Sequence, residues 1–123
     1  MVKGIGTDIV NIERIKNSIA KFKEKFQDKI FTQEEWNYCW NKKNPYPSLA
    51  ARFAAKEAVL KALGIGKSNI KWQDIEVKLD PEGKPIINLS GVAAETARTQ
   101  YISNFNLSLS HCSEYAVAFV VAE

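Results

Sequence analysis

Val2 to Val10 alternates loosely between apolar and polar or small residues and is β-branched, which predicts a strand. In an extended chain Val2, Gly4, Gly6, Asp8 and Val10 share one face. The two glycines leave that face bare beside Asp8, open to another backbone or a ligand. The period then changes. Ile12, Ile15, Ile19, Phe22 and Phe26 recur at steps of three and four, predicting an amphipathic helix whose other faces carry Arg14, Lys16, Lys21, Lys23 and Lys25. Thr32-Gln-Glu-Glu35 has the form of a capping box and should open a short helix through Trp36 and Trp40. Asn44-Pro-Tyr-Pro47 breaks the chain. A long central helix is expected from about Ser48 to Leu63, stopped by Gly64 at the C′ position.

Beyond it, Trp72 to Leu79 and Pro85 to Leu89 predict two strands joined by the turn Asp80-Pro-Glu-Gly-Lys84. Ser90 can cap a helix through about Ile102, and Asn106 to Cys112 with Tyr115 to Ala122 predict a hairpin around Ser113-Glu114. Strands arriving in hairpins with helices between them indicate an α+β fold, an antiparallel sheet packed on the long central helix.

The length of 123 residues suits one domain, with 46% hydrophobic and 25% charged residues. A net charge of +3 is mild for a dedicated nucleic-acid binder but suits acidic ligands or an acidic partner. Cys39 and Cys112 form neither a metal-binding pair nor a secreted disulfide framework, so reduced thiols are expected. The N-terminus carries no long apolar run after its positive charge, and no stretch reaches the ~20 apolar residues of a membrane span. A soluble, cytoplasmic protein that engages neither nucleic acid nor membrane is expected.

The central helix sharpens the chemistry. Leu49, Phe53 and Leu60 form a narrow apolar stripe, flanked by Arg52 and Lys56 on one side and by Glu57 and Lys61 on the other. Most remaining positions are Ala or Val, so the helix should be buried on most sides. Spacing alone allows Glu57 and Lys61 to form an i,i+4 pair worth ~0.2–0.5 kcal/mol on a surface. Among apolar neighbours, such a pair would recover little of its desolvation cost. Asp8 could cap the following helix, and Arg52 could pair with Glu35. A buried carboxylate needs a cation, a raised pKa or a metal ion, and two converging carboxylates would hold Mg²⁺ with substrate phosphates filling other positions.

His111, the only histidine, shares a strand face with Leu107 and Leu109, whereas Ser108, Ser110 and Cys112 share the other. A histidine so placed has an ordinary structural reading. Adjacent strand residues point to opposite faces, so His111 and Cys112 cannot form a nucleophilic pair.

GIGTDIV at the N-terminus, RFAAKEAVLKALG in the middle and SLSH near the C-terminus resemble holo-[acyl-carrier-protein] synthase, the short form of 4′-phosphopantetheinyl transferase. The likeness spans nearly the whole chain. It implies transfer of 4′-phosphopantetheine from coenzyme A to a serine of apo acyl carrier protein, releasing 3′,5′-ADP, in support of fatty acid biosynthesis. It further implies Mg²⁺ held by Asp8 and Glu57, with Lys61 beside them in catalysis. Coenzyme A contacts would come from Arg52, Lys61, Gly64 and His111, and carrier-protein docking from Arg14, Lys21 and Lys25. Sites shared within a homotrimer are implied as well. The attacking serine belongs to the partner, so this chain needs no nucleophile of its own. Glu57 or Asp8 acting through a water is the preferred base. Thr7, Cys112 and Glu82 stand where relatives commonly carry a hydrophobic residue, a hydroxyl residue and Asn.

Two other readings use the same residues. A metal-dependent phosphodiesterase would employ the carboxylates without a carrier protein, and a non-catalytic module would bind acidic helices through Arg14, Lys21 and Lys25.

Overall fold

The computed structural model describes residues 1–66 and 69–123. Strand β1 (Gly4–Asn11) leads into helix α1 (Ile12–Lys25), and the chain continues through a π-helical turn at Phe26–Ile30. Helices α2 (Gln33–Trp40) and α3 (Tyr46–Leu63) follow, then a 3₁₀ turn at Trp72–Asp74. Strands β2 (Ile75–Leu79) and β3 (Pro85–Leu89), helix α4 (Gly91–Thr99) and strands β4 (Phe105–His111) and β5 (Tyr115–Ala122) complete the fold. All strand pairs are antiparallel, in one sheet of order β1-β5-β4 and a second of β2-β3. The expected α+β arrangement is therefore present, with the strands divided between two sheets.

Helix α3 is the axis of the molecule, because its Ala-rich surface lets neighbours approach from most directions. Leu49, Ala50, Ala54, Ala55, Ala58 and Val59 are fully buried. Against them packs the inner face of the first sheet, where the rows Gly6–Val120–Leu107 and Asp8–Ala118–Leu109 cross three strands. Gly6 permits this contact. A Cβ placed there would fall inside the Ala58 carbonyl oxygen and lie 2.8 Å from the Ala58 carbonyl carbon. Bare backbone on β1 brings the helix close to Asp8, the next side chain along that face.

The other side of α3 is anchored electrostatically. Lys56 is fully buried, and its three donors go to Glu35 Oε1 at 2.9 Å, to the Trp72 carbonyl at 3.1 Å and to the Ile75 carbonyl. Glu35 also completes the expected capping box with Thr32 and accepts the Val77 N–H at 2.8 Å. Every donor of the ammonium is satisfied, which is the condition for tolerating a buried charge. Burial pulls the Lys56 pKa below its usual value, and Glu35 opposes that shift.

Several boundaries differ from expectation for local reasons. Helix α3 starts at Tyr46, because Pro47 in the first turn lacks only a donor that a helix leaves unpaired there anyway. Helix α4 ends at Thr99, since Tyr101 adopts a left-handed φ of 59°. Trp72–Asp74 is a helical turn and not the start of a strand. Phe22 departs furthest. Its φ and ψ of −132° and 46° kink α1, and its side chain is 58% exposed instead of joining the apolar stripe.

Among the described residues, no helix is long and apolar enough to cross a membrane.

Candidate active site

Asp8 and Glu57 come from opposite ends of the first half of the chain and line one cleft of about 440 Å³. Asp8 arrives on the inner face of β1, opposite Ala118. Glu57 arrives from α3, and Arg14 borders the same cleft from the first turn of α1. Asn11 accepts the Arg14 N–H at 3.0 Å as the helix cap, which fixes where α1 begins relative to Asp8. Capping therefore falls to Asn11, and Asp8 is left to the cleft. Ile15, Phe26 and Phe53 supply an apolar wall.

Lys61 lies one turn beyond Glu57 and reaches across to β1. Its ammonium donates to the Thr7 carbonyl at 3.0 Å and to Asp8 Oδ1 at 3.4 Å. The Lys61 side chain is 55% exposed and that of Asp8 19%. The ion pair is therefore open enough for solvent to weaken it. Thr7 takes part through its carbonyl while its side chain is exposed, so replacing the usual hydrophobic residue leaves this contact intact.

The donor set fits a hard divalent cation. Two carboxylates enter one cleft with no thiol or imidazole among its lining residues, and Mg²⁺ is bound through one or two carboxylates plus substrate oxygens. Among the described residues, no group of three or more His, Cys, Asp or Glu side chains converges as a complete metal cage.

The remaining expected ligand-binding residues lie elsewhere on the chain. Arg52 is on the other flank of α3, beside a separate hollow of about 130 Å³ formed with Glu34, Tyr38 and Lys78. Its guanidinium sits 4.7 Å from the Tyr38 ring centre and donates weakly to the Ser48 carbonyl at 3.4 Å. Its Nε is buried without a hydrogen-bond partner among the described residues, and Glu35, the acid its sequence position would allow, is taken by Lys56. Gly64 caps α3 with a left-handed φ of 71°, as its position in the sequence implied.

His111 ends β4 on the same sheet face as Asp8, two strands away and exposed. Cys112 is exposed beyond the strand, where the N–H groups of Glu114 and Tyr115 lower its thiol pKa. Cys39 is buried, and burial pushes its thiol up to about 11.

Arg14, Lys21 and Lys25 are all exposed on α1. They do not form one straight row, because the kink at Phe22 interrupts the helical spacing between Lys21 and Lys25. Lys25 instead borders a neighbouring cleft with Lys29 and Lys71. Sequence periodicity assigned Ile15, Phe26 and Phe53 to the core without marking them as cleft walls. Their membership depends on where α1 crosses α3, which the spacing alone does not encode.

Residues 4–120 match the model of the 4′-phosphopantetheinyl transferase superfamily. Holo-[acyl-carrier-protein] synthase of Halothermothrix orenii is 46% identical over 100% of this chain and 98% of its own. The Alkaliphilus metalliredigens protein of the same name is 49% identical over 99% of both. Among solved structures, the Neisseria meningitidis synthase superposes with a TM-score of 0.90 at 39% identity, covering 100% of this chain and 99% of that one. The Helicobacter pylori synthase in complex with coenzyme A gives 0.84 at 35% identity, covering 97% and 99%. By full-length likeness in both sequence and fold, the chain belongs to the 4′-phosphopantetheinyl transferase superfamily and, within it, to the holo-[acyl-carrier-protein] synthases.

Proposed function

We propose that this protein transfers 4′-phosphopantetheine from coenzyme A to a serine hydroxyl of apo acyl carrier protein, releasing 3′,5′-ADP, in support of fatty acid biosynthesis. The observation that carries the reading is the cleft where Asp8 and Glu57 meet with Arg14 on its border, beside the Lys61–Asp8 contact. It places two carboxylates, with Lys61 beside one of them, at the start of a basic helix. Relatives described as bound to coenzyme A support the choice of donor.

In the proposed reaction the carrier serine oxygen forms a bond to the β-phosphorus of coenzyme A. The bond from that phosphorus to the bridging oxygen breaks, and 3′,5′-ADP leaves with the electron pair. Catalysis of this kind rests mainly on positioning and on stabilising charge. Asp8 and Glu57 are the residues that would hold Mg²⁺, which when bound would neutralise pyrophosphate charge. Lys61, tethered to the Thr7 carbonyl, brings an ammonium to the leaving side. The serine proton passes to solvent or through a water to a cleft carboxylate.

Arg52 and His111 are proposed to reach coenzyme A in a homotrimer whose sites are shared between subunits. The outer face of the first sheet supports such an assembly. In the isolated chain Ile5 and Ile9 are each 63% exposed and Phe119 is 46% exposed, on adjoining strands. Clustered exposed apolar side chains of this kind mark interaction surfaces. Phe119→Glu should convert a trimer to monomers in sedimentation equilibrium; an unchanged mass would remove this face from the interface.

Arg14, with Lys21 and Lys25, is proposed to receive an acidic carrier helix. Exposed charges at such interfaces act mainly on encounter and fade with salt. Arg14→Glu should raise the apparent carrier KM about tenfold at low salt and flatten its salt dependence. An unaltered KM would place docking elsewhere.

One assay tests the activity: incubate the chain with coenzyme A, Mg²⁺ and an apo carrier protein, then weigh the carrier. A gain equal to phosphopantetheine supports transfer. Coenzyme A consumption with an unmodified carrier would favour the phosphodiesterase reading, and no change would favour a non-catalytic binding module.

A further inference from the structure

The Lys61 ammonium occupies a position with a consequence for metal entry. It lies 3.4 Å from one oxygen of Asp8, a carboxylate assigned to the divalent ion, and 3.0 Å from the Thr7 carbonyl. The second contact matters as much as the first. A lysine held by a carboxylate alone would swing into solvent when a metal ion arrived. The carbonyl gives Lys61 a partner that remains after Asp8 is engaged, so its positive charge stays near the site. Gly6 lets the α3 backbone close on β1, which keeps the origin of Lys61 close to the Thr7 carbonyl.

We infer that Lys61 acts as a tethered resident cation, making strong metal binding at Asp8 and Glu57 conditional on the pyrophosphate of coenzyme A. This rests on the metal assignment proposed above. Without the pyrophosphate, the metal ion must share Asp8 with the ammonium that the Thr7 carbonyl holds beside it, and the two positive charges repel. With it, the negative phosphoryl charge would offset both cations at once. The free enzyme is therefore poor at collecting divalent ions alone, and it takes the ion together with its substrate. Lys61 is in this respect a positioning and ordering residue, in addition to its proposed contact with the leaving phosphate.

Direct titration with Mn²⁺, followed by water-proton relaxation and without carrier protein, tests the inference on the full chain. Lys61→Gln removes the charge at a half-exposed position where the fold has little to lose. It should tighten Mn²⁺ binding to the ligand-free protein about tenfold, the scale expected for removing one charge a few ångströms away in a water-like medium. It should also shrink the gain in Mn²⁺ affinity that coenzyme A confers on the wild type. Lys61→Arg, which keeps the charge, should bind Mn²⁺ alone as weakly as the wild type. Unchanged or weaker metal-only binding in Lys61→Gln would overturn the inference. Asp8→Asn separates that failure from failure of the metal assignment. It should weaken Mn²⁺ binding at least tenfold in the presence of coenzyme A. No effect there would overturn the assignment, and the role of Lys61 with it.

Discussion

Asp8→Asn and Glu57→Gln should each lower the rate of phosphopantetheine transfer by roughly 10²–10³-fold, the range seen when one preorganised electrostatic group is lost. Both substitutions keep side-chain volume and remove only charge, so folding should be unaffected. Asp8 is mostly covered but still solvent-accessible, and it sits beside Lys61. Asparagine can still accept a hydrogen bond from that ammonium, while the negative charge that would hold Mg²⁺ is gone. Glu57 contributes from the facing helix to the same cleft. Carrier mass spectrometry over time measures the rate, and circular dichroism confirms the fold. Near-normal turnover in both variants would dismiss the two-carboxylate site.

Gly6→Ala should be the most damaging change of comparable size outside the charged groups. The added methyl would overlap the Ala58 carbonyl and lie 3.0 Å from the Ala62 backbone nitrogen. Neither neighbour can rotate aside, because both are backbone within a buried helix. Overpacking of this kind costs about 1–3 kcal/mol, and relief requires α3 to move away from β1. That movement lengthens the reach from Lys61 to Thr7 and separates Glu57 from Asp8. Displacement of about 1 Å at a reacting centre can cost ~10²-fold in rate. A lower melting temperature with a disproportionate loss of transfer in the folded fraction is the expected result. If Gly6→Ala melts and turns over like the wild type, close approach of helix and strand is not what sets the site.

Much of the site was legible along the chain because its charged residues interrupt strong apolar patterns. Glu57 and Lys61 fall together on one flank of α3, opposite Arg52 and Lys56, because a 3.6-residue period fixes direction around an axis. The glycines of β1 signalled a close approach that the structure fills with α3. The capping box at Thr32 and the helix stop at Gly64 were equally readable, since each satisfies backbone groups within a few residues.

Other features depend on contacts distant in sequence. Nothing local shows that Lys56 claims Glu35, leaving Arg52 with Ser48 and Tyr38. The exposure of Phe22 follows from a kink that a regular helical period cannot express. The Thr7 carbonyl is a ligand for Lys61 that no side-chain pattern could announce.

The order of elements, the flank of α3 bearing each charge and the bare face beside Asp8 could be read along the chain, because they follow from local backbone geometry. Which cation meets which anion is set by packing between elements far apart in the chain. An ion pair across 53 positions depends on how α3 crosses β1, and that crossing is set by the packing of the whole core.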